Sequence, residues 1–350
     1  MSVIITDFGR ATDGTPVRAA TLKNDRIEVQ VLSYGAVLRR IVVPDRKGRP
    51  VDVALGYDTV PDYELNRADA MGACVGRFAN RIGGAQYAYN GQVYHLTANQ
   101  KGNCLHSGLH GFHQTVFAMQ PTPGTDDSVT LTAVSPDGTD GFPGTVTFEV
   151  QVSLTGCGVM LQYAAATDKP TVCNFTNHSY FNLNGHDAGS ALGHRLSLDA
   201  RAFLVTDDAS VPTGEKRPVA GTPMDFNEEK TLGRDINADY EPLRFGGGYD
   251  HCYLVRDTGL RHAAQLTGPE TGITMELLTT LPGVQVYTAN YLEPVTPGKD
   301  GAAYHPRDAV CLEAQDYPDA PNHPDFPDAW LLPDAPYSAT TIYRFDTITL

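Results

Sequence analysis

The chain has 350 residues, with 26 Lys+Arg against 41 Asp+Glu and a formal charge of −15. That length buries a core without disulfide or metal staples, and the acid excess excludes the basic stripe that a nucleic-acid backbone requires. No run approaches the ~20 apolar residues of a bilayer-spanning helix. The start, Met1-Ser2-Val3-Ile4-Ile5-Thr6-Asp7, lacks the basic and apolar stretches of a secretory leader. The expectation is a soluble, cytoplasmic protein with neither membrane nor nucleic acid as partner. The cysteines at 74, 104, 157, 173, 252 and 311 form no CxxC pair, so buried reduced thiols are expected rather than a disulfide framework.

In chain order, the pattern is one of strands. Residues 27–31 (Ile-Glu-Val-Gln-Val) alternate apolar and polar, as a half-buried strand does. Residues 61–70 allow a short helix. Residues 87–95 read as a hairpin, because Asn90-Gly91 supplies the two φ > 0 positions of a type I′ turn between alternating runs. Residues 129–133 and 146–154 alternate again; in the second run every even position is apolar. Gly246-Gly247-Gly248 lacks the GxGxxG spacing and the βαβ setting of a nucleotide loop. Residues 318–336, rich in proline, read as a long ordered loop rather than a boundary. Strands that do not alternate with helices argue for antiparallel layers over a parallel α/β sheet. One domain over 1–350 is expected.

Three constellations carry chemistry. Asn177-His178-Ser179-Tyr180-Phe181-Asn182 mixes amides, an imidazole and aromatics. Sugars need that mixture, since amides and imidazoles bond ring hydroxyls while aromatic faces cover C–H surface. A turn-rich loop with a structural histidine accounts for the same residues. Asn103-Cys104-Leu105-His106 is followed by His110 and His113. That spacing clusters metal ligands only on a helix, which Gly108 and Gly111 oppose. In Val310-Cys311-Leu312-Glu313-Ala314-Gln315, an apolar run carries a carboxylate to a proline-rich loop. A carboxylate there can be partly desolvated, with its pKa raised toward working pH, although taken alone an ordinary solvated strand-end Glu is the favoured reading. Asn80 and Arg81 beside glycines, Asp250 ahead of an apolar strand, and Gln285 at a turn add further hydrogen-bonding groups.

Taken together, six segments resemble the galactose mutarotase (aldose 1-epimerase) family. They are Gly76-Arg77-Phe78-Ala79-Asn80-Arg81-Ile82, Asn103 to His106, Thr176 to Leu183, Tyr249-Asp250-His251, Pro282-Gly283-Val284-Gln285, and Cys311 to Gln315 with Pro318-Asp319-Ala320. The resemblance implies an all-β fold, one large antiparallel β-supersandwich, with no metal or other cofactor and a free monosaccharide as substrate. It implies that Glu313 is the general base on the anomeric hydroxyl, His178 the acid on the ring oxygen, and His106 a second histidine near that oxygen. Asn80, Arg81, Asp250 and Gln285 would hold the remaining hydroxyls. A monomer or homodimer is expected.

Two positions depart from the family pattern. Ser107 stands where glycine is common, and Pro333-Asp334-Ala335-Pro336-Tyr337 replaces a Pro-Gly-Glu before tyrosine, which puts the local turn in question. Anomer exchange opens a hemiacetal, rotates C1–C2 and closes it again, so one carboxylate and one imidazole suffice. Three rival readings remain at this stage. A sugar-binding module would dispense with the acid and base. A glycoside hydrolase would pair Glu313 with Asp250. A sugar-phosphate epimerase would use Arg77 and Arg81 on the phosphate.

Overall fold

The structure is a computed structural model that describes residues 2–348. Three antiparallel sheets dominate it. The first is a meander of five strands in chain order, from Ser2–Arg10 to Pro50–Asp52. The second has nine strands and runs from Ala118–Pro121 at one edge to Lys230–Thr231 at the other. The long C-terminal strand Tyr337–Thr347 lies in its middle, between Gly158–Thr167 and Ile273–Thr279. The third has six strands in the order Tyr180–Phe181, Val310–Gln315, Gly283–Tyr287, Asp250–Val255, Ala200–Thr206 and Pro212–Pro218. Every pairing within these sheets is antiparallel, so the expected all-β sandwich architecture is what forms.

Period-2 patterning explains how the layers close. In strand Val146–Thr155, Val146, Phe148, Val150 and Val152 are buried while Thr147 and Glu149 face solvent. Those apolar residues join one core with Leu312, Ala314, Val284 and Val286 of the six-stranded sheet and Val29, Val31 and Ile41 of the N-terminal sheet. The Tyr343 hydroxyl donates to Leu312 O at 3.2 Å and so ties the central strand of the nine-stranded sheet to the six-stranded one.

The hairpin pairs Gln86–Tyr89 with Gln92–His95 and turns on Asn90 (φ 49°) and Gly91 (φ 79°). The helix expected over 61–70 is shorter: Val60–Leu65 is helical, and a separate 3₁₀ turn, Arg67–Asp69, follows. The break falls at Asn66, whose Nδ2 bonds Asp62 O and the remote Thr296 Oγ1. A second helix, Glu241–Gly246, was not evident from patterning; Gly247 (φ 64°) caps it, which is the use made of the triple glycine. Residues 318–336 contain a 3₁₀ turn, Ala320–Asn322, and a strand, Trp330–Leu331, paired with Thr171–Val172. At the departure near 333–337, Ala335 N–H donates to Leu332 O and closes a turn before Tyr337 enters its strand. All six cysteines are free thiols, and all but the half-buried Cys157 are buried. Among the described residues, no helix is long and apolar enough to cross a membrane.

Candidate active site

Backbone pairing stitches the distant motifs together. Cys74–Val75 pairs with Thr176–Asn177, and Arg81–Ile82 pairs with Cys104–Leu105. His178 N–H donates to Ala73 O at 2.8 Å, and Gly72 N–H donates back to His178 O at 2.9 Å. His106 N–H donates to Asn80 O at 3.0 Å, while Asn80 N–H donates to His106 Nδ1 at 3.1 Å. Both residues hold left-handed backbone (Asn80 φ 63°, His106 φ 49°), the kind of local strain that surrounding structure must over-determine. Gly76 is required for close approach: a Cβ there would lie 2.4 Å from Phe175 Cδ1.

Register on the six-stranded sheet then sets the chemistry. Residues directly opposite across an antiparallel pair share a face, as do i and i+2 on one strand. Tyr180 opposes Cys311, Cys311 opposes Tyr287, and Tyr287 opposes Asp250. One row further along, Glu313 opposes Gln285, and Gln285 opposes Cys252. Polar and aromatic groups therefore collect on one face of the sheet, while Leu312, Ala314, Val284 and Val286 enter the core from the other.

Above that face lies a cleft of about 220 Å³ lined by Asn80, Arg81, His106, His178, Asp250 and Glu313, with Asp69, Gln100, Tyr180, Tyr287 and Tyr291 completing its walls. The volume lies just under the ~300–1,000 Å³ usual for drug-sized ligands, as suits one small polar molecule. His178 Nε2 and Glu313 Oε1 are 3.6 Å apart. The His178 ring stacks on Tyr180 (centroids 5.1 Å, planes 18° apart) and meets His106 edge-on at 5.5 Å. Arg81 Nε donates to Gln100 Oε1 at 2.7 Å and its Nη1 to Asn80 Oδ1 at 3.2 Å, which aligns the guanidinium with the Asn80 amide.

Of the seven residues that the family resemblance implies for the site, Gln285 alone does not line the cleft. It is buried on the sheet, and its Nε2 donates to Asp250 Oδ1 at 2.6 Å. Ser107 sits beneath His106: its Oγ accepts from Phe78 N–H at 2.8 Å, so the serine fixes the turn that carries the histidine. The other two histidines go elsewhere. His110 is exposed and bonded to Asp140, and His113 is buried with its Nε2 on the Gln114 amide. Arg77 is buried, its guanidinium donating to Ser135 Oγ and to the carbonyls of Ser135, Pro136 and Pro143. Asp69, Tyr180, Tyr287 and Gln100 were not assigned from sequence. The Tyr180 ring carries a signal there, as an aromatic inside the Asn177–Asn182 motif; Asp69 carries none.

Burial governs the electrostatics. It pushes Glu313 well above the ordinary carboxylate range; nearby Asp250 adds to that, and Arg81 opposes it. Burial lowers His178 to about 4, against a smaller upward pull from Asp250. His106 is also held well below the ordinary histidine value, by burial first and then by the neighbouring His178, His113 and Arg81, each of which disfavours a charge on its ring. With His106 Nδ1 accepting from the Asn80 N–H, the ring's proton belongs on Nε2. Asp69 is raised to about 6 by burial, although the Tyr57 hydroxyl donates to its Oδ2 at 3.1 Å.

A family model described as Aldose 1-epimerase matches residues 18–344. The chain is 35% identical over 347 residues to a galactose mutarotase from Mus musculus, covering 99% of each. It is 34% identical over 341 residues to an aldose 1-epimerase from Escherichia coli (strain K12), covering 96% of this chain and 97% of that one. Among solved structures, a galactose 1-epimerase from Lactobacillus acidophilus NCFM matches it with a TM-score of 0.87, at 26% identity over 100% of both chains. A match spanning nearly the whole length, with relatives at 34–35% identity, establishes that the chain belongs to the aldose 1-epimerase family.

Proposed function

We propose that this chain interconverts the α and β anomers of a free aldose such as glucose or galactose by acid–base ring opening and closure, with Glu313 and His178 as the proton-transfer pair. The observation that carries the reading is their approach to 3.6 Å on the wall of one cleft. Glu313 takes the proton of the C1 hydroxyl, electrons from that O–H bond form the C1 carbonyl, the C1–O5 bond breaks, and His178 delivers a proton to O5. Rotation about C1–C2 turns the aldehyde, and the reverse transfers close the ring on its other face. His106 supports the step by presenting Nε2–H as a neutral donor near the ring oxygen.

The pair holds one mobile proton. Burial alone favours the uncharged arrangement, with that proton on Glu313. The working arrangement of carboxylate and imidazolium has the same net charge. Arg81 draws Glu313 toward it and Asp250 draws His178 toward it, while Asp250 also opposes ionisation of Glu313. Sugar hydroxyls donating to Glu313 favour the same shift, since hydrogen bonds to a charged form stabilise it.

Asn80, Arg81 and Asp250 hold the hydroxyls remote from C1, and Gln285 acts through Asp250. The engagement of Arg77 with backbone carbonyls supports a free sugar, because a phosphate calls for more than one cation and Arg81 lines the cleft without it. We read the whole chain as one catalytic unit: Asp69 and Arg81 come from the first hundred residues, while Glu313 lies near the end. Polarimetry of freshly dissolved α-D-glucose and α-D-galactose tests the proposal. Glu313→Gln is expected to lower kcat by about 10² or more with little change in KM, and His178→Asn to do similar damage. A Glu313→Gln enzyme as fast as the parent removes Glu313 as base.

A further inference from the structure

The geometry points to an inhibitory metal site where the His178–Glu313 wall of the cleft meets the buried Cys311. We propose that His178, Cys311 and Glu313 bind a thiophilic divalent cation, with zinc the type case, through one ring nitrogen, the thiolate sulfur and a carboxylate oxygen. Those three ligand atoms lie within 4.8 Å of one another, and all three residues are buried. Strand register brings them together. Cys311 and Glu313 are two apart on one face of their strand, Tyr180 opposes Cys311, and His178 precedes Tyr180 by two.

The donor set is N, S and O, which suits zinc rather than magnesium or calcium. Metal–ligand bonds of ~2.0–2.3 Å put tetrahedral ligands about 3.3–3.8 Å apart, so the side chains close by about an ångström. Glu313 Oε2 and His178 Nδ1 have no hydrogen-bond partners to break. On binding, the thiol proton, and the proton of Glu313 where it is protonated, leave for solvent. Thiolate and carboxylate then neutralise the dication, and neutral imidazole adds no charge, so the complex is uncharged in a dry place. The fourth position falls to a water on the cleft side, where His178 and Glu313 line the wall that the sugar would occupy. Inhibition rests on the acid–base reading above, because the ion occupies both proton-transfer groups; binding itself does not depend on that reading.

Two measurements separate the cases. Zinc chloride added to the enzyme is expected to inhibit galactose mutarotation competitively with sugar and reversibly by EDTA. Cobalt(II) is expected to give a thiolate charge-transfer band that excess D-galactose abolishes. The band should persist in Cys157→Ser, the half-buried alternative thiol, and vanish in Cys311→Ser. Loss of the sulfur ligand is expected to weaken zinc inhibition at least about tenfold. Absence of a band in the parent enzyme overturns the site without requiring any variant to fold. A band with no inhibition keeps the metal site and counts against the acid–base pair. Zinc inhibition unchanged in Cys311→Ser, or in Cys311→Ala if the serine variant does not fold, places the metal elsewhere and ends the proposal.

Discussion

Gln285 Nε2 donates to Asp250 Oδ1 across 2.6 Å, from a buried position directly opposite Glu313 on the neighbouring strand. The amide thus aims a cleft carboxylate while lying beside the proposed base, which ties the sugar-holding and proton-moving parts of the site to one stretch of sheet. Its Oε1 is buried without a partner, so the side chain is anchored through Nε2 alone.

Removing that anchor should loosen substrate binding more than chemistry. Gln285→Leu is expected to raise KM about tenfold, the value of one hydrogen bond to a charged group, and to lower kcat by less than about threefold. Initial-rate polarimetry over a range of sugar concentrations separates the two constants. A fall in kcat at constant KM would show that Gln285 acts on Glu313 instead of Asp250.

The pH profile follows from a pair that shares one proton. A second proton enters on His178, at about 4, and leaves no group able to accept from the sugar. Loss of the shared proton waits for a pH well above the ordinary carboxylate value, because burial holds it on Glu313. These apparent values belong to the pair as a unit. We expect kcat/KM to be flat through neutrality with its acid limb near pH 4. A limb at the ordinary histidine value of about 6.5 contradicts this account of the pair.

Asp69 lines the cleft with Oδ2 committed to the Tyr57 hydroxyl, and its backbone carbonyl accepts from Tyr180, the residue on which His178 stacks. Its second carboxylate oxygen is therefore available to a sugar hydroxyl. Asp69→Asn is expected to raise KM several-fold, unequally for glucose, galactose and their deoxy analogues, while keeping kcat within about twofold. Equal KM values across the sugar panel would show that Asp69 only supports Tyr57 and Tyr180.

Asp316 supplies a stability prediction. Burial raises its carboxyl to about 7, and its Oδ2 meets the Tyr337 hydroxyl at 3.4 Å. The folded state therefore binds a proton that the unfolded chain has released between about pH 4 and 7, so this group's contribution falls as pH rises through that window. Asp316→Asn is expected to remove the fall. Urea unfolding at pH 5 and pH 8 should show the parent losing more stability than the variant, by on the order of 2 kcal/mol after allowance for solvent reaching this half-buried residue. Equal losses in both proteins would exclude Asp316 as the titrating group.

Local patterning was enough for the all-β class, the strand read at 146–154 and the hairpin turning on Asn90-Gly91. Each of these depends on side chains a few residues apart: alternation selects a buried face, and two φ > 0 residues select a turn. The motif residues Asn80, Arg81, His106, His178, Asp250 and Glu313 were also visible from sequence, as residue types and through family resemblance, and all of them line one cleft. Tertiary structure alone decided how they are arranged. The pairing of Tyr180 with Cys311 and of Gln285 with Glu313 and the withdrawal of Gln285 behind Asp250 depend on cross-strand register, while the burial of Arg77 on carbonyls and the arrival of Asp69 beside Tyr180 depend on contacts between remote segments. A period of two tells each strand which face is wet but not which neighbour it meets. That choice belongs to the summed packing of three sheets, as do the burial-driven shifts of His178 and Glu313.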